Sequence, residues 1–153
     1  MQLRINHIGL RGLEVVLGGV FFYAGLQKYL HTYEFAQAVL AYHLLPASLV
    51  GALAAVLPWV EIAAGLFLIV GLKRRSCLIL LAGLVGGFIV VILITMARGL
   101  KIDCGCGLFL SRQVGWGVLL EDGVLLLWAI GLYGWESKRI TETPAPAAPA
   151  PAP

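Results

Sequence analysis

Residues 49–97 read LVGALAAVLPWVEIAAGLFLIVGLKRRSCLILLAGLVGGFIVVILITMA. Two apolar runs, 49–72 and 77–97, flank the charged break Lys73-Arg74-Arg75. A helix needs about 20 apolar residues to cross the roughly 30 Å hydrocarbon core of a bilayer, and each run is long enough. A short basic connector between two such runs predicts a pair of antiparallel transmembrane helices rather than one buried helix of a soluble core. Working outward, comparable runs occupy 9–27 and 114–135. The predicted fold class is therefore all-α: a polytopic membrane protein with a four-transmembrane-helix bundle.

The whole chain agrees with that reading. Of 153 residues, 60% are hydrophobic and 12% charged, with a mean hydropathy of +0.93. Soluble domains are about half apolar and a quarter charged, so this composition leaves too little polar residue to cover a water-facing surface. The net charge is only +3, and no nucleic-acid partner is expected. Residues 1–137 form one predicted domain, and the Pro/Ala-rich segment 138–153 reads as an extended, disordered tail of polyproline character. The first run follows Arg4 and Arg11, as in a signal peptide, but it contains Glu14 and lacks a small-x-small cleavage site, so a retained helix is expected. Arg11 is three residues before Glu14, spaced for a local pair.

Basic residues set the expected orientation. Arg4, Arg11, Lys73, Arg74, Arg75, Lys138 and Arg139 fall on one side of a four-span chain, and Lys28, Arg98, Lys101 and Arg112 on the other. The richer side is expected to be cytoplasmic. Both termini would then be cytoplasmic, with 28–48 and 98–113 facing outward. Small residues allow helices to approach in lipid, and Gly18, Gly19, Gly65, Gly83, Gly86, Gly87 and Gly123 are the predicted packing positions.

Two groups of residues could carry chemistry. The first is Asp103-Cys104-Gly105-Cys106 in the second outward loop. Alpha carbons two residues apart in an extended chain are about 6.6 Å distant, near the upper limit for a disulfide. Gly105, which has no Cβ, makes the required bend accessible. A ring that small is strained, and strain makes a disulfide labile, suited to repeated making and breaking. It closes almost no loop, so it would contribute little as a staple. Asp103 disfavours a thiolate, whereas Lys101, Arg98 and Arg112 favour one. Cys77 lies at the opposite end of the third helix and reads as a small apolar filler. His31 and His43, expected on the cysteines' side, could complete a metal set with Cys104 and Cys106, but the spacing is unlike a zinc ribbon and ordinary interfacial histidines are the plainer reading.

The second group consists of acids within the spans. A carboxylate at mid-bilayer costs about 2.5–3.5 kcal/mol on insertion scales, so each must be satisfied or useful. Glu61 lies a turn after Pro58-Trp59 in the second span, where it could move protons, contact a lipid-soluble electron carrier, or hydrogen-bond another helix. Glu121 and Asp122, early in the fourth span, are expected within reach of Lys28 or Arg98, with an ion pair for at least one of them.

Four stretches taken in order, 17–30 (LGGVFFYAGLQKYL), 35–46 (FAQAVLAYHLLP), 57–71 (LPWVEIAAGLFLIVG) and 102–106 (IDCGC), make the chain resemble the MauE branch of the DoxX-like membrane proteins. The resemblance covers most of 10–135. It implies a redox-associated four-helix membrane protein; in that family MauE is linked to a thioredoxin-like partner and to disulfide formation in methylamine dehydrogenase maturation, and DoxX relatives to sulfur oxidation and quinones. By position the family's paired cysteines fall on Cys104 and Cys106, and its acid in the second span on Glu61.

The function expected from these readings is thiol–disulfide exchange in the bacterial cytoplasmic membrane. Cys104, Cys106 and Glu61 would be the reacting groups, Asp103, Gly105, Lys28, Arg98, Glu121 and Asp122 their support, a periplasmic thioredoxin-like protein the partner, and a quinone the one cofactor suggested. The alternatives are a non-enzymatic scaffold or assembly factor for a periplasmic redox enzyme, and a metal or small-solute transporter.

Overall fold

The computed structural model describes residues 2–99 and 115–142. Among the described residues there are five helices and no strand: α1 Gln2–Leu30, α2 Thr32–Ala41, α3 Ala47–Val70, α4 Arg74–Ala97 and α5 Trp116–Glu142. Four contain segments long and apolar enough to cross a membrane, namely Gly9–Leu30, Ala47–Val70, Arg74–Ala97 and Trp116–Lys138. The chain is a multi-pass, all-α membrane protein.

The helices outrun the apolar runs. α1 begins at Gln2 rather than near residue 9, and α5 continues to Glu142, past the expected start of the tail at 138. Hydropathy marks only the lipid-crossing part of a helix, whereas backbone hydrogen bonding continues through polar residues. Residues 143–153 lie outside the described residues. α3 follows Pro46, which is held extended, and ends in a Schellman cap, with the Gly71 and Leu72 amides both donating to Phe67 O at 2.9 Å. Gly71 has φ +90°, and Lys73 takes a left-handed φ of +44° before α4.

Contact pairs fix the topology. Gly18 of α1 meets Gly65 and Ile69 of α3, while Gly25 meets Pro58 and Ile62, so the two run antiparallel. Arg75 reaches Ser137 at one end of the α4–α5 pair, and Ile92 packs with Val118 at the other, so these are antiparallel too. The central core joins all four long helices through Phe21, Leu68, Leu78, Leu81, Ala129 and their neighbours. Large apolar side chains such as Val16, Val56, Val90 and Leu127 face outward on every long helix. In lipid this outward apolar surface needs no burial.

The α1–α3 crossing depends on glycine. A Cβ on Gly18 would lie 2.7 Å from Gly65 O, one on Gly65 2.6 Å from Gly18 O, and one on Gly25 2.9 Å from Pro58 O. Gly18 and Gly65 are therefore packing glycines as expected, and Gly25 joins them. Gly19, Gly83, Gly86, Gly87 and Gly123 are not, because a Cβ on any of them would meet nothing within 4 Å. A glycine's place in a run does not reveal which helix face it occupies.

The stretch 28–48, expected only as an outward connection between spans, contains a helix of its own, α2. Phe35 and Val39, one turn apart, pack on Val50 and Ala54 of α3. The connection thus folds back along the bundle and covers the ends of α1 and α3.

Candidate functional site: a buried lysine between two acids

Gly25 places α1 so close to α3 that its Cβ position lies 3.0 Å from Glu61 Cβ. Lys28, almost a turn further on, can therefore reach Glu61 with its side chain angled back along α1. Its Nζ donates to Glu61 Oε1 at 2.8 Å and to Oε2 at 2.7 Å. Both side chains are nearly dry, 7% and 8% exposed. Phe35 of α2 sits over the ammonium, with its ring centroid 6.0 Å from Nζ. Of the readings open for Glu61, a hydrogen bond to another helix is made in the structure, with Lys28 as the donor.

Asp122 enters from α5, six residues after Trp116, or about 9 Å of helix rise. With Lys28 and Glu61 it lines a cavity of about 40 Å³ whose other walls include Phe21, Val85 and Phe88. Its Oδ2 is shut from solvent and has no hydrogen-bond partner among the described residues. One cation and two acids thus share one space inside the bundle.

At the end of α2 is Tyr42, which the sequence reading held only within the 35–46 stretch of the resemblance and gave no role. It is buried, 3% exposed, and its phenol is pushed up to about 12, first by burial and then by the charge of Asp122. Arg98, at the end of α4, donates to Tyr42 O at 3.2 Å. This contact ties the start of the α4–α5 connection to the end of α2, while Lys28 makes its close pair with Glu61.

The remaining candidates are spread more widely. His31 and His43 lie beyond opposite ends of α2, separated by about 15 Å of helix rise, more than one ion bridges. His31 Nδ1 is 3.7 Å from Glu34 Oε2. Among the described residues no group of three His, Cys, Asp or Glu side chains could hold a metal ion. Cys77 is a buried free thiol in the central core. Cys104, Cys106, Asp103 and Gly105 lie outside the described residues; the helices leading to and from them end at the same end of the bundle as α2.

A second polar cluster occupies the opposite end. Arg11 Nη1 donates to Glu14 Oε2 at 2.8 Å and to Leu68 O at 3.1 Å. Its Nη2 donates to Ile69 O at 2.6 Å. Arg11 therefore satisfies carbonyls left open at the end of α3 as well as its local acid. Arg74 stands 3.6 Å from Glu14 and 3.8 Å from Glu136. Arg75 donates to Ser137 Oγ at 2.7 Å and lies over the Tyr133 ring.

Comparison with known proteins gives two matches. The family model described as "Methylamine utilisation protein MauE" matches residues 6–134, which take in all four long helices or nearly so. A Paracoccus denitrificans protein described as "Methylamine utilization protein MauE" is 32% identical over 132 residues, covering 84% of this chain and 70% of that protein. No solved structure matches.

Proposed function

The chain belongs to the methylamine utilisation protein MauE family, and from that premise we propose that it is a membrane accessory protein of methylamine utilisation that works by thiol–disulfide exchange. Cys104-Gly105-Cys106, in the connection between α4 and α5, carries this reading. A thiolate of a thioredoxin-like partner attacks one sulfur of the Cys104–Cys106 disulfide and forms a mixed disulfide. The partner's second thiol then resolves it. The partner leaves as a disulfide, and Cys104 and Cys106 are left as a dithiol with two electrons and two protons gained. Cys104 and Cys106 re-form their disulfide by giving up those two electrons and two protons, for which a quinone in the membrane would supply an acceptor of matching capacity. The protein lies in the cytoplasmic membrane with both termini in the cytoplasm and the cysteines facing the periplasm, as the distribution of basic residues favours.

The test is to trap the intermediate. With Cys106→Ser, Cys104 forms the mixed disulfide by running the exchange in reverse, its thiolate attacking the disulfide of the oxidised partner, and no Cys106 thiol is there to displace the partner, so the adduct should accumulate and be identified by mass spectrometry. The reciprocal Cys104→Ser variant shows which sulfur is attacked. Absence of any adduct from both variants, with partner oxidation in cells unchanged in the double serine variant, would refute the exchange.

A second reading, a non-enzymatic assembly factor, draws support from Glu61. Both of its oxygens are occupied by Lys28, as expected of an acid that registers two helices. The double serine variant separates the two readings, because an assembly factor would retain its effect without the thiols.

A further inference from the structure

We infer that Asp122 is the proton-exchanging group of a water-holding site inside the bundle, framed by the fixed Lys28–Glu61 pair. The argument begins with the inventory of the cavity. Lys28 spends two of its three ammonium hydrogens on Glu61. That pair is closed and neutral. Asp122 adds a further carboxyl whose Oδ2 is buried without a partner, in a cavity otherwise walled mainly by carbon.

An ionised carboxylate with one oxygen buried and without a donor is costly, and three things could relieve it. A metal cation requires several oxygen ligands, six or more for calcium or magnesium. Here Glu61 is already engaged, the walls are Phe21, Val85, Phe88 and similar side chains, and an ammonium stands alongside. Moving Lys28 to Asp122 would strand Glu61, which is more deeply buried. A proton needs no ligand shell and binds covalently to the oxygen that lacks a partner. The cavity, at about 40 Å³, exceeds the roughly 10–15 Å³ that one water requires, and three polar side chains supply the two to four partners a buried water needs. Water there connects Asp122 to the free hydrogen of Lys28 and gives the proton a way in and out.

The charged and titratable groups facing Asp122 are Lys28 from α1, Glu61 from α3, Tyr42 from the segment after α2, and Glu121 on its own helix. α4 contributes only apolar side chains to the cavity. The proton's use in dithiol–disulfide exchange rests on the function proposed above, whereas the site itself does not.

Infrared titration of the full chain in lipid nanodiscs tests the inference. A protonated carboxyl has its own carbonyl stretch. One such band should fade as pH rises and should move in D₂O; it should vanish in Asp122→Asn and persist in Glu121→Gln. Asp122→Glu, which keeps a carboxyl should the asparagine variant misfold, should retain a titrating band at a shifted frequency. The profile should be the same in sodium and choline buffers, and the same in the Cys104→Ser/Cys106→Ser protein, so failure of the redox reading and failure of this one are read separately. A band that survives Asp122→Asn, ignores pH and D₂O, or shifts with sodium overturns the assignment.

Discussion

The two ends of the bundle handle buried charge in opposite ways. Near the α2 end, one lysine shares a nearly dry space with two acids, and Glu61 has no second cation in that cavity to replace it. At the far end, arginine supplies the cations. Glu14 is shared between Arg11 and Arg74, Arg74 is shared between Glu14 and Glu136, and Arg11 also holds two carbonyls of α3. Those arginines are 28–29% exposed, so water and headgroups can take up a lost contact. A guanidinium with five donors spreads its bonds over several acceptors, whereas an ammonium concentrates them. The far end is therefore built to hold, and the near end is poised on a single interaction.

The largest effect should follow from breaking that interaction. Lys28→Met leaves Glu61 buried without its counter-charge and should lower stability by about 3–5 kcal/mol, whereas Glu61→Gln leaves Lys28 with Asp122 in the same cavity and should cost less; the combined change Lys28→Met with Glu61→Leu should recover most of the larger loss. Unfolding in detergent, followed by circular dichroism, measures both. If each single change costs no more than the loss of one far-end arginine, the contrast between the two ends is wrong.

Next come the glycines that bring Lys28 to Glu61. Gly25→Val would push its side chain against Pro58 O and Glu61, separating α1 from α3 at the level of the pair. A loss of about 1–3 kcal/mol is expected, together with loss of the coupling between Lys28 and Glu61 in a double-mutant cycle. Gly86→Ala, with nothing within 4 Å to meet, should stay within about 0.5 kcal/mol of the parent. These two variants also show where the sequence stopped being legible. The four spans could be read because hydrophobic length is a property of each segment alone. Gly25 and Gly86 look alike in sequence, and only the approach of α3 distinguishes them. α2 was missed for a related reason: Phe35 and Val39 carry a helical spacing, but ten residues with one apolar contact line give a weak signal until Val50 and Ala54 supply the surface they cover.

The candidate site was legible in its ingredients and not in its pairing. Glu61 and Asp122 stood out as acids within apolar runs, Lys28 as a basic residue just past the end of the first run, and Arg11–Glu14 followed directly from helical spacing. The sequence put Lys28 within reach of Glu121 and Asp122; that it takes Glu61 instead follows from the close approach of α1 to α3, which no single segment shows. Tyr42 was legible only as part of the 35–46 stretch that carries the family resemblance, with no role assigned; its burial and its contact with Arg98 are properties of the folded chain.

At the far end the expected effects are smaller and graded. Arg11→Ala removes an ion pair and the contacts that satisfy two carbonyls of α3, and should cost about 1–2 kcal/mol. Arg74→Ala removes only longer, partly exposed contacts and should cost about 0–1 kcal/mol. The Arg74 effect should shrink further at high salt, while the Lys28 effect should not, because a buried pair is poorly screened.

The last effect, absent at neutral pH, concerns Tyr42 and reads the near end from outside the span. Its folded-state phenol is raised to about 12, above the ordinary value of about 10. Between these values the unfolded chain has released the proton that the folded chain retains, so folding binds more protons and stability falls as pH rises. The contribution is fully present below pH of about 10 and is lost as pH passes about 12. The tyrosinate absorbance of the parent minus that of Tyr42→Phe should show one late transition. Burial is the first cause of the shift and the Asp122 charge the second, so Asp122→Asn should move the transition to lower pH without restoring the ordinary value. A transition unmoved by that change would mean that the Asp122 charge does not reach Tyr42, and the near end would then be a closed lysine–glutamate pair electrically separate from the segment that covers it.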